Sequence, residues 1–341
     1  MSLVEVTKDT RIFLKIAGAV GVLAVLIFLI FRGGQFLQTA FFPEPPAPAE
    51  EKFGALPPIE FPARNNQGFD YRIETISGFL PTFPLTITVY KLQKNEPTIT
   101  ALPDAKVRAA NLGFTENEQA LSTSEYKWTD PILNNSLFYE IYSYNFSVSP
   151  NYTNTQNFLP ITGMRKEDAL GTVSNFIKSL GGSTDDIDIE KSQYSYFTTS
   201  PEGAIPVSSP DIASLIRIML FQKPVNDLEI YYPVENGSTL YFTLALLGRT
   251  PTVMEASYHH FTPTLSESST YYLKTAQEAY DELKNGGGYI ANPTEDKSIG
   301  VTEVTLGYYL NNNENQEYLL PVVVFSGIND FKAYVPAIRN Q

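Results

Sequence analysis

His259 and His260 are the only histidines in this 341-residue chain, so any imidazole chemistry must use them. They sit in VMEASYHHFT, Val253 to Thr262, which reads as a strand. Neighbouring side chains on a strand point to opposite faces, which keeps one metal ion from holding both. A one-histidine metal site would need carboxylates to complete it, and two strand histidines near a surface are the expectation. A Ser-His-Asp triad has few ways to form, and no nucleophile elbow lies nearby. Ser124-Glu125-Tyr126-Lys127 fits the S-x-x-K pattern of serine acyl-enzymes. That chemistry needs Ser and Lys one turn apart at a helix start. Here Tyr126-Lys127-Trp128 leads into a strand, which splays the two side chains. The companion S-D-N and K-T-G motifs are missing, with Lys274-Thr275-Ala276 a near miss. A chance match is expected.

Asp185, Asp186, Asp188 and Glu190 offer oxygen ligands, but lack the central glycine and terminal glutamate spacing of a calcium loop. A solvated acidic edge that discourages strand pairing is the expected role. Gly286-Gly287-Gly288 follows a helix and precedes no Gly-Lys-Ser/Thr, so it reads as a helix stop and not as a phosphate cradle. Asn134, Asn145, Asn151 and Asn236 fit N-x-S/T, as an Asn-rich chain does by chance. Tyr139, Tyr142, Tyr144 and Phe146 could line a sugar- or peptide-binding face, although strand aromatics more often fill a core. No residue is assigned a catalytic, cofactor-binding or metal-binding role, and no cofactor is implied.

The elements that would position these residues begin with an anchor. Residues 12 to 31, IFLKIAGAVGVLAVLIFLIF, form a near-continuous apolar run. About 20 helical residues span a bilayer core of ~30 Å, so 12–32 is predicted to be a transmembrane signal anchor. Its uncharged part is long for a signal peptide, and Gln38-Thr39-Ala40 is a poor cleavage site. Lys8, Arg11 and Lys15 lie at or before its start and Arg32 just after it. That bias places residues 1–11 in the cytoplasm and the bulk of the chain outside the plasma membrane. Ala17 and Gly21 have small-xxx-small spacing, a weak pointer to dimerisation. Residues 33–67 include PEPPAPAEEKFGALPPIEFP and are predicted to be a semi-rigid proline-rich linker.

The remainder has the composition of a packed domain, with 43% hydrophobic residues, 22 Phe and 21 Tyr. Cysteine is absent, which excludes disulfides and thiol chemistry and leans towards a bacterial envelope. Net charge is −13 overall, and such a surface repels nucleic-acid phosphate.

Alternation predicts a first α+β unit over 68–160: strands at Tyr71–Thr75 and Leu85–Leu92, a helix over 104–113, and strands at 126–128 and 137–148. A second α+β region, 161–341, starts with an amphipathic helix over 165–180 stopped by Gly181-Gly182. A strand follows at 187–197, then a short helix over 211–221 and a hairpin of Leu228–Pro233 with Thr239–Leu246 around Asn236-Gly237. Within this region, residues 264–341 carry a helix over 274–284. There Thr275 and Glu278 make a capping box, and strands follow at 301–310, 318–325 and 331–338. A helix ending at glycine and feeding antiparallel strands thus recurs three times.

The C-terminal sequence YYLKTAQEAYDELKNGGGYI, followed by VTLGYYL, YLLPVVVF and FKAYVPAI, resembles the C-terminal module of YycH/YycI-type regulators, and more broadly PepSY-like units. Thr275, Glu278 and Ala279 match the T-x-x-E-A helix start, and Leu306-Gly307-Tyr308-Tyr309 with Pro321 match the strand pattern. The resemblance implies a non-enzymatic protein that binds or restrains a membrane partner. The expectation is therefore an α+β protein with a single N-terminal transmembrane helix, a Pro-rich linker and an ectodomain of repeated helix-plus-antiparallel-sheet units. It would act as a binding or regulatory protein on a membrane or envelope partner. The alternatives are a glycan-binding or hydrolytic envelope protein, or a structural subunit of an envelope complex.

Overall fold

The computed structural model describes residues 47–63, 68–152, 158–200, 203–234, 237–294, 296–312 and 315–339, with six helical positions between Gly21 and Arg32. The chain divides into two units, Met1–Pro48 and Ala49–Gln341. Most of the predicted anchor lies outside the described residues. Among those described, no helix is long and apolar enough to cross a membrane.

The second unit is mostly β-sheet, in two large sheets, which corrects the expected α+β ectodomain of repeated helix-plus-antiparallel-sheet units. Its first sheet has ten strands, in the order β3 (Glu116–Ala120), β4 (Glu125–Thr129), β5 (Ser136–Glu140), β6 (Phe146–Ser149), β13 (Thr250–Tyr258), β12 (Leu240–Leu247), β10 (Leu215–Gln222), β8 (Ile187–Ser200) and β9 (Gly203–Val207); β7 (Phe158–Leu159) adds to β12. The second has eight. Its spine is β1 (Asp70–Ile73), β16 (Ser298–Tyr309), β17 (Tyr318–Gly327), β18 (Lys332–Pro336) and β15 (Tyr289–Asn292). β2 (Thr86–Leu92) pairs with both β17 and β14 (Pro263–Tyr272), and β11 (Ile230–Tyr231) pairs with β16.

This wiring overturns the repeat. The expected first unit is split: β1 and β2 belong to the eight-stranded sheet, and β3 to β7 to the ten-stranded one. β1 runs parallel to β16, with Tyr71 opposite Ile299, so the start of the unit is paired near its end. The expected hairpin around Asn236, itself outside the described residues, does not form. β11 joins β16 in one sheet while β12 pairs β10 and β13 in the other.

Among the described residues of this unit, the α-helices are α1 (Ala101–Asn111), α2 (Lys166–Ser179) and α3 (Ala276–Lys284). The expected helix over 211–221 is β10 instead, preceded by one 3-10 turn at Pro210–Ile212. LIRIMLFQ alternates between deeper and shallower burial, as a strand flanked on both sides must. α1 and α2 cover one face of the ten-stranded sheet. Ala105, Ala109, Val173 and Ile177 pack there with Leu137, Phe146, Ile218 and Phe242. The small α1 alanines let its backbone lie close to the strands. α3 covers the eight-stranded sheet through Ala279, Tyr280 and Leu283 against Val323, Phe325 and Val335. Burying each such large apolar side chain contributes roughly 1.5–3 kcal/mol before cavity effects. The α3 capping box forms: Thr275 Oγ1 accepts from the Glu278 amide at 3.1 Å, and Glu278 Oε2 accepts from the Thr275 amide at 2.7 Å.

Of the predicted linker, residues 50–61 lie on the domain. The Glu51 amide donates to the Thr270 carbonyl at 3.0 Å, and Phe53, Leu56, Ile59 and Phe61 pack against the cores of the eight-stranded sheet.

Candidate functional site

The long apolar sequence LFYEIYSYNFSV is two strands, β5 and β6, folded about a turn over 141–145. Tyr144 takes φ 64°, the left-handed region that non-glycine residues seldom occupy. Three contacts hold it there. Glu140 Oε2 accepts from the backbone amides of Tyr142 at 3.0 Å and Ser143 at 2.5 Å. The Arg108 guanidinium lies 4.8 Å above the Tyr144 ring. Arg108 also donates to the Tyr139 hydroxyl at 3.2 Å, which itself donates to the Leu180 carbonyl. Burial pushes the Tyr139 hydroxyl up to about 12 against the pull of Arg108, so it stays a neutral donor.

Leu180 leads into Gly181-Gly182-Ser183. A Cβ on Gly182 would stand 2.8 Å from Ile177 Cγ2 and 2.9 Å from the Tyr258 ring, so this close approach requires glycine. The Tyr258 hydroxyl accepts from the Ser183 amide at 3.0 Å and donates to its carbonyl at 2.8 Å. Tyr258 is stacked on Phe146 at 5.0 Å and on His260 at 5.4 Å between ring centroids. Burial raises the Tyr258 hydroxyl far above its ordinary value.

These pieces form one wall of a cleft of about 430 Å³. Tyr142, Tyr144, Ser183 and His260 face Gln93, Lys94 and Asn95, which follow β2, and Asn315 and Gln316, which precede β17. The cleft therefore lies where segments of the two sheets meet.

Behind it is the most specific polar arrangement of the unit. His260 Nε2 lies 2.7 Å from Asp186 Oδ1, and the His260 amide donates to Asn145 Oδ1 at 2.9 Å. Gln222 Nε2 donates to Asp186 Oδ2 at 2.9 Å and to the Phe261 carbonyl at 3.0 Å. Burial alone would raise the Asp186 carboxyl, but the hydrogen bonds and charge from His260, with the bond from Gln222, outweigh it and hold the group below its ordinary value.

The sequence candidates thus separate. Of the acidic run, Asp186 turns to His260, while Asp188 stands 4.0 Å from Lys191. His259 is anchored elsewhere, its carbonyl accepting from Thr239 Oγ1 at 2.9 Å. Ser124 lines the cleft, whereas Lys127 extends over the Phe138 ring at 5.5 Å, so the two do not converge. Of the four aromatics singled out in the sequence, Tyr139 and Phe146 are core, and Tyr142 and Tyr144 reach the cleft. Gly286 and Gly288 take positive φ at the end of α3. No group of three or more His, Asp and Glu among the described residues could hold a metal ion.

Sequence reasoning passed over a second polar cluster. Arg217 on β10 lies 4.9 Å from both the Phe197 and Tyr241 rings, and pairs with Glu255 at 2.6 Å. Arg217 Nε donates to Thr243 Oγ1 at 2.9 Å, and Tyr152 donates to Glu255 at 3.3 Å. The available signal was an arginine in the middle of the apolar run LIRIMLF.

No family model matches the chain, and no curated protein matches it. Among solved structures, it is similar to an uncharacterized protein from Eubacterium rectale at 12% identity and a TM-score of 0.36, covering 75% of this chain and 87% of that one. It is also similar to the Bacillus megaterium YpeB C-terminal domain, a PepSY-like domain, at 13% identity and a TM-score of 0.28, covering 73% of this chain and all of that one. Likenesses this faint carry neither fold nor function over to this chain.

Proposed function

We propose that this protein is a non-catalytic binding protein of the bacterial cell envelope, and that the cleft between the sheets is where it engages its partner. One observation carries this reading: the acidic, basic and imidazole side chains lining the cleft are committed to structure. Lys94 pairs with Glu317 at 3.1 Å, Glu140 caps the Tyr142 turn, and His260 is closed on Asp186. A general base has to be within reach of a substrate proton; the His260 side chain is buried with its Nε2 on Asp186 and Glu140 is turned to the amides of its own turn, while the Lys94–Glu317 pair is an exposed surface contact. What remains open to a ligand is a surface of tyrosines, amides and hydroxyls. Such a surface supports recognition more readily than bond making.

A restraining role on a membrane protein partner, of the kind that the resemblance to YycH/YycI-type regulators implies, belongs to this proposal. So does location at the plasma membrane with the bulk of the chain outside, which rests on the apolar run 12–31 and the cations before it. The test is crosslinking of the full-length chain in its native membrane, read by mass spectrometry, with protease accessibility of intact cells as the check on location. Recovery of one membrane protein at near-equal abundance supports the proposal. Recovery of wall polymer alone would move the reading to glycan binding, which the cleft's tyrosines and amides would also suit. Turnover of a cell-wall fraction by the purified protein would overturn it.

A further inference from the structure

The loop between β1 and β2 carries no charged side chain from Thr75 to Leu85, TISGFLPTFPL, in a chain of net charge −13. Its residues divide into two sets. Leu80 and Phe83 pack against the core of the eight-stranded sheet and fix the loop to the unit. Ile76 and Phe79 stand in solvent: Ile76 is fully exposed and Phe79 is 77% exposed. Single apolar side chains on a surface are ordinary, but these two crown a turn that is tied in place. The Gly78 amide donates to the Thr75 carbonyl at 2.9 Å, with Gly78 at φ 72°. Thr75 Oγ1 and Ser77 Oγ both donate to the Phe79 carbonyl, at 2.8 and 3.0 Å. The apolar tip is therefore a built feature of the loop. The apolar surface continues behind it, where Phe79, Leu80 and Leu85 with Leu273 and Ala276 line a hollow of about 480 Å³.

The loop also lies next to the place where the chain enters the unit. The Glu50 amide donates to Thr270 Oγ1 at 3.1 Å, and the Glu51 amide to the Thr270 carbonyl at 3.0 Å. Three residues further on, the Leu273 amide donates to the Leu85 carbonyl at 3.0 Å, where the loop runs into β2. At about 3.3 Å per strand residue, the point of entry is about 10 Å from the base of the loop. Because residues 50–61 lie on the domain, only residues 33–49 separate the unit from the apolar run. That length of chain spans at most about 60 Å. The cations beside the loop are already paired, Arg339 with Glu278 at 2.9 Å and Lys274 with Glu282 at 2.7 Å. What the loop offers a partner is apolar surface and not charge.

We propose that the β1–β2 loop inserts Ile76 and Phe79 into the surface of the lipid bilayer and so docks the eight-stranded sheet on the membrane. This rests on the reading that residues 12–31 anchor the chain there. The occupant is the boundary between headgroups and acyl chains, about 5–10 Å deep, which takes up exposed aliphatic and aromatic side chains by burying them. Since burial drives the insertion, it needs no anionic lipid and does not weaken with salt.

The test uses the full-length chain in phosphatidylcholine vesicles whose acyl chains carry bromine, a short-range quencher of indole fluorescence. Trp128 is the only tryptophan and is buried in the core of the ten-stranded sheet, so it supplies a constant background. Phe79→Trp exchanges one exposed aromatic ring for another. Its added emission should fall about twofold or more in the brominated vesicles, equally at low and high salt. Ile99→Trp, at a fully exposed position before α1, should be unaffected. Quenching of both variants would mean that the domain meets lipid without preference, and would overturn the assignment to the loop. A chain that floats with the vesicles while Phe79→Trp stays unquenched would overturn the proposal and leave the anchor standing. A blue shift without quenching would place the loop against protein, and would overturn the lipid assignment in favour of a second copy or another protein. A chain that does not float with the vesicles would overturn the anchor, and this proposal with it.

Discussion

Asp186 and His260 stand 74 positions apart in the chain and meet at 2.7 Å behind the cleft. The pairing joins the loop after α2 to the residues after β13, and Gln222 from β10 closes it from the third side. Because the folded Asp186 carboxyl sits below its ordinary value of 3.8, the stability it contributes is fully present above about pH 4. That contribution is lost as pH falls through the lowered folded value. Asp186→Asn should cost about 1–3 kcal/mol at pH 7, and the wild-type and variant curves should converge in acid. Urea denaturation from pH 7 to pH 3 checks this; a constant gap across the range would refute it.

The α3 cap makes a second acid-sensitive point. Glu278 accepts from the Thr275 amide and from Arg339, and its carboxyl is held down at about 2. Its contribution is full above about pH 4.5 and fades towards pH 2. The group is about half exposed, so solvent screening keeps the effect small. Thr275→Ala should cost about 1 kcal/mol, measurable as a lowered Tm at pH 7.

Gly288 takes φ 79°, and a Cβ there would stand 2.4 Å from the Tyr334 carbonyl oxygen. Backbone cannot yield as a flexible side chain can. Gly288→Ala should destabilise by about 3 kcal/mol. Gly171→Ala, where a Cβ meets nothing within 4 Å, should raise stability slightly by favouring helix. Chemical denaturation of the pair checks both signs.

Arg217 and Glu255 are mostly but not wholly shielded, with side-chain exposures of 26% and 19%. Arg217→Ala strips the charge partner from Glu255 and the cation from between two rings. It should cost about 2 kcal/mol, below the 3–5 kcal/mol of a fully buried pair. Replacing both residues, as Arg217→Met with Glu255→Leu, should recover much of the loss. A double-mutant cycle by thermal denaturation measures the coupling.

In the cleft, Tyr142→Ala removes an aromatic wall while its backbone carbonyl can still accept from Asn95 Nδ2, a bond of 2.7 Å in the wild type. If the cleft engages the partner, crosslinking yield in native membranes should fall at least fivefold with Tm changed by no more than ~2 °C. An unchanged yield would move the partner's footprint elsewhere on the surface.

Much of the local structure was legible in the sequence. The helices near 104–113, 165–180 and 274–284 appear with shifted ends, because apolar spacing and glycine stops are local signals. The last three strands appear almost as read, since YLLPVVVF is too apolar to be anything but central. LIRIMLFQ was misread as helix because its period is ambiguous in isolation, and β8 and β12 on either side decide it. The stretch LFYEIYSYNFSV hid a turn because no glycine or proline marks it; Glu140 and Arg108 hold Tyr144 in place of glycine.

The sequence by itself determined the inventory: three helices with their stops, one capping box, two histidines, no cysteine, and acidity that repels phosphate. Those properties depend on residue type and short spacing. Only the tertiary structure decided that β1 and β2 leave their neighbours to join strands about 170 to 230 residues away. It alone turned Asp186 out of its acidic run to meet His260, and laid a proline-rich stretch down as a strap. These outcomes depend on pairing across long loops, where apolar strands are nearly interchangeable in sequence. The choice among them falls to whichever register buries the most side chain and leaves the fewest polar groups unpaired.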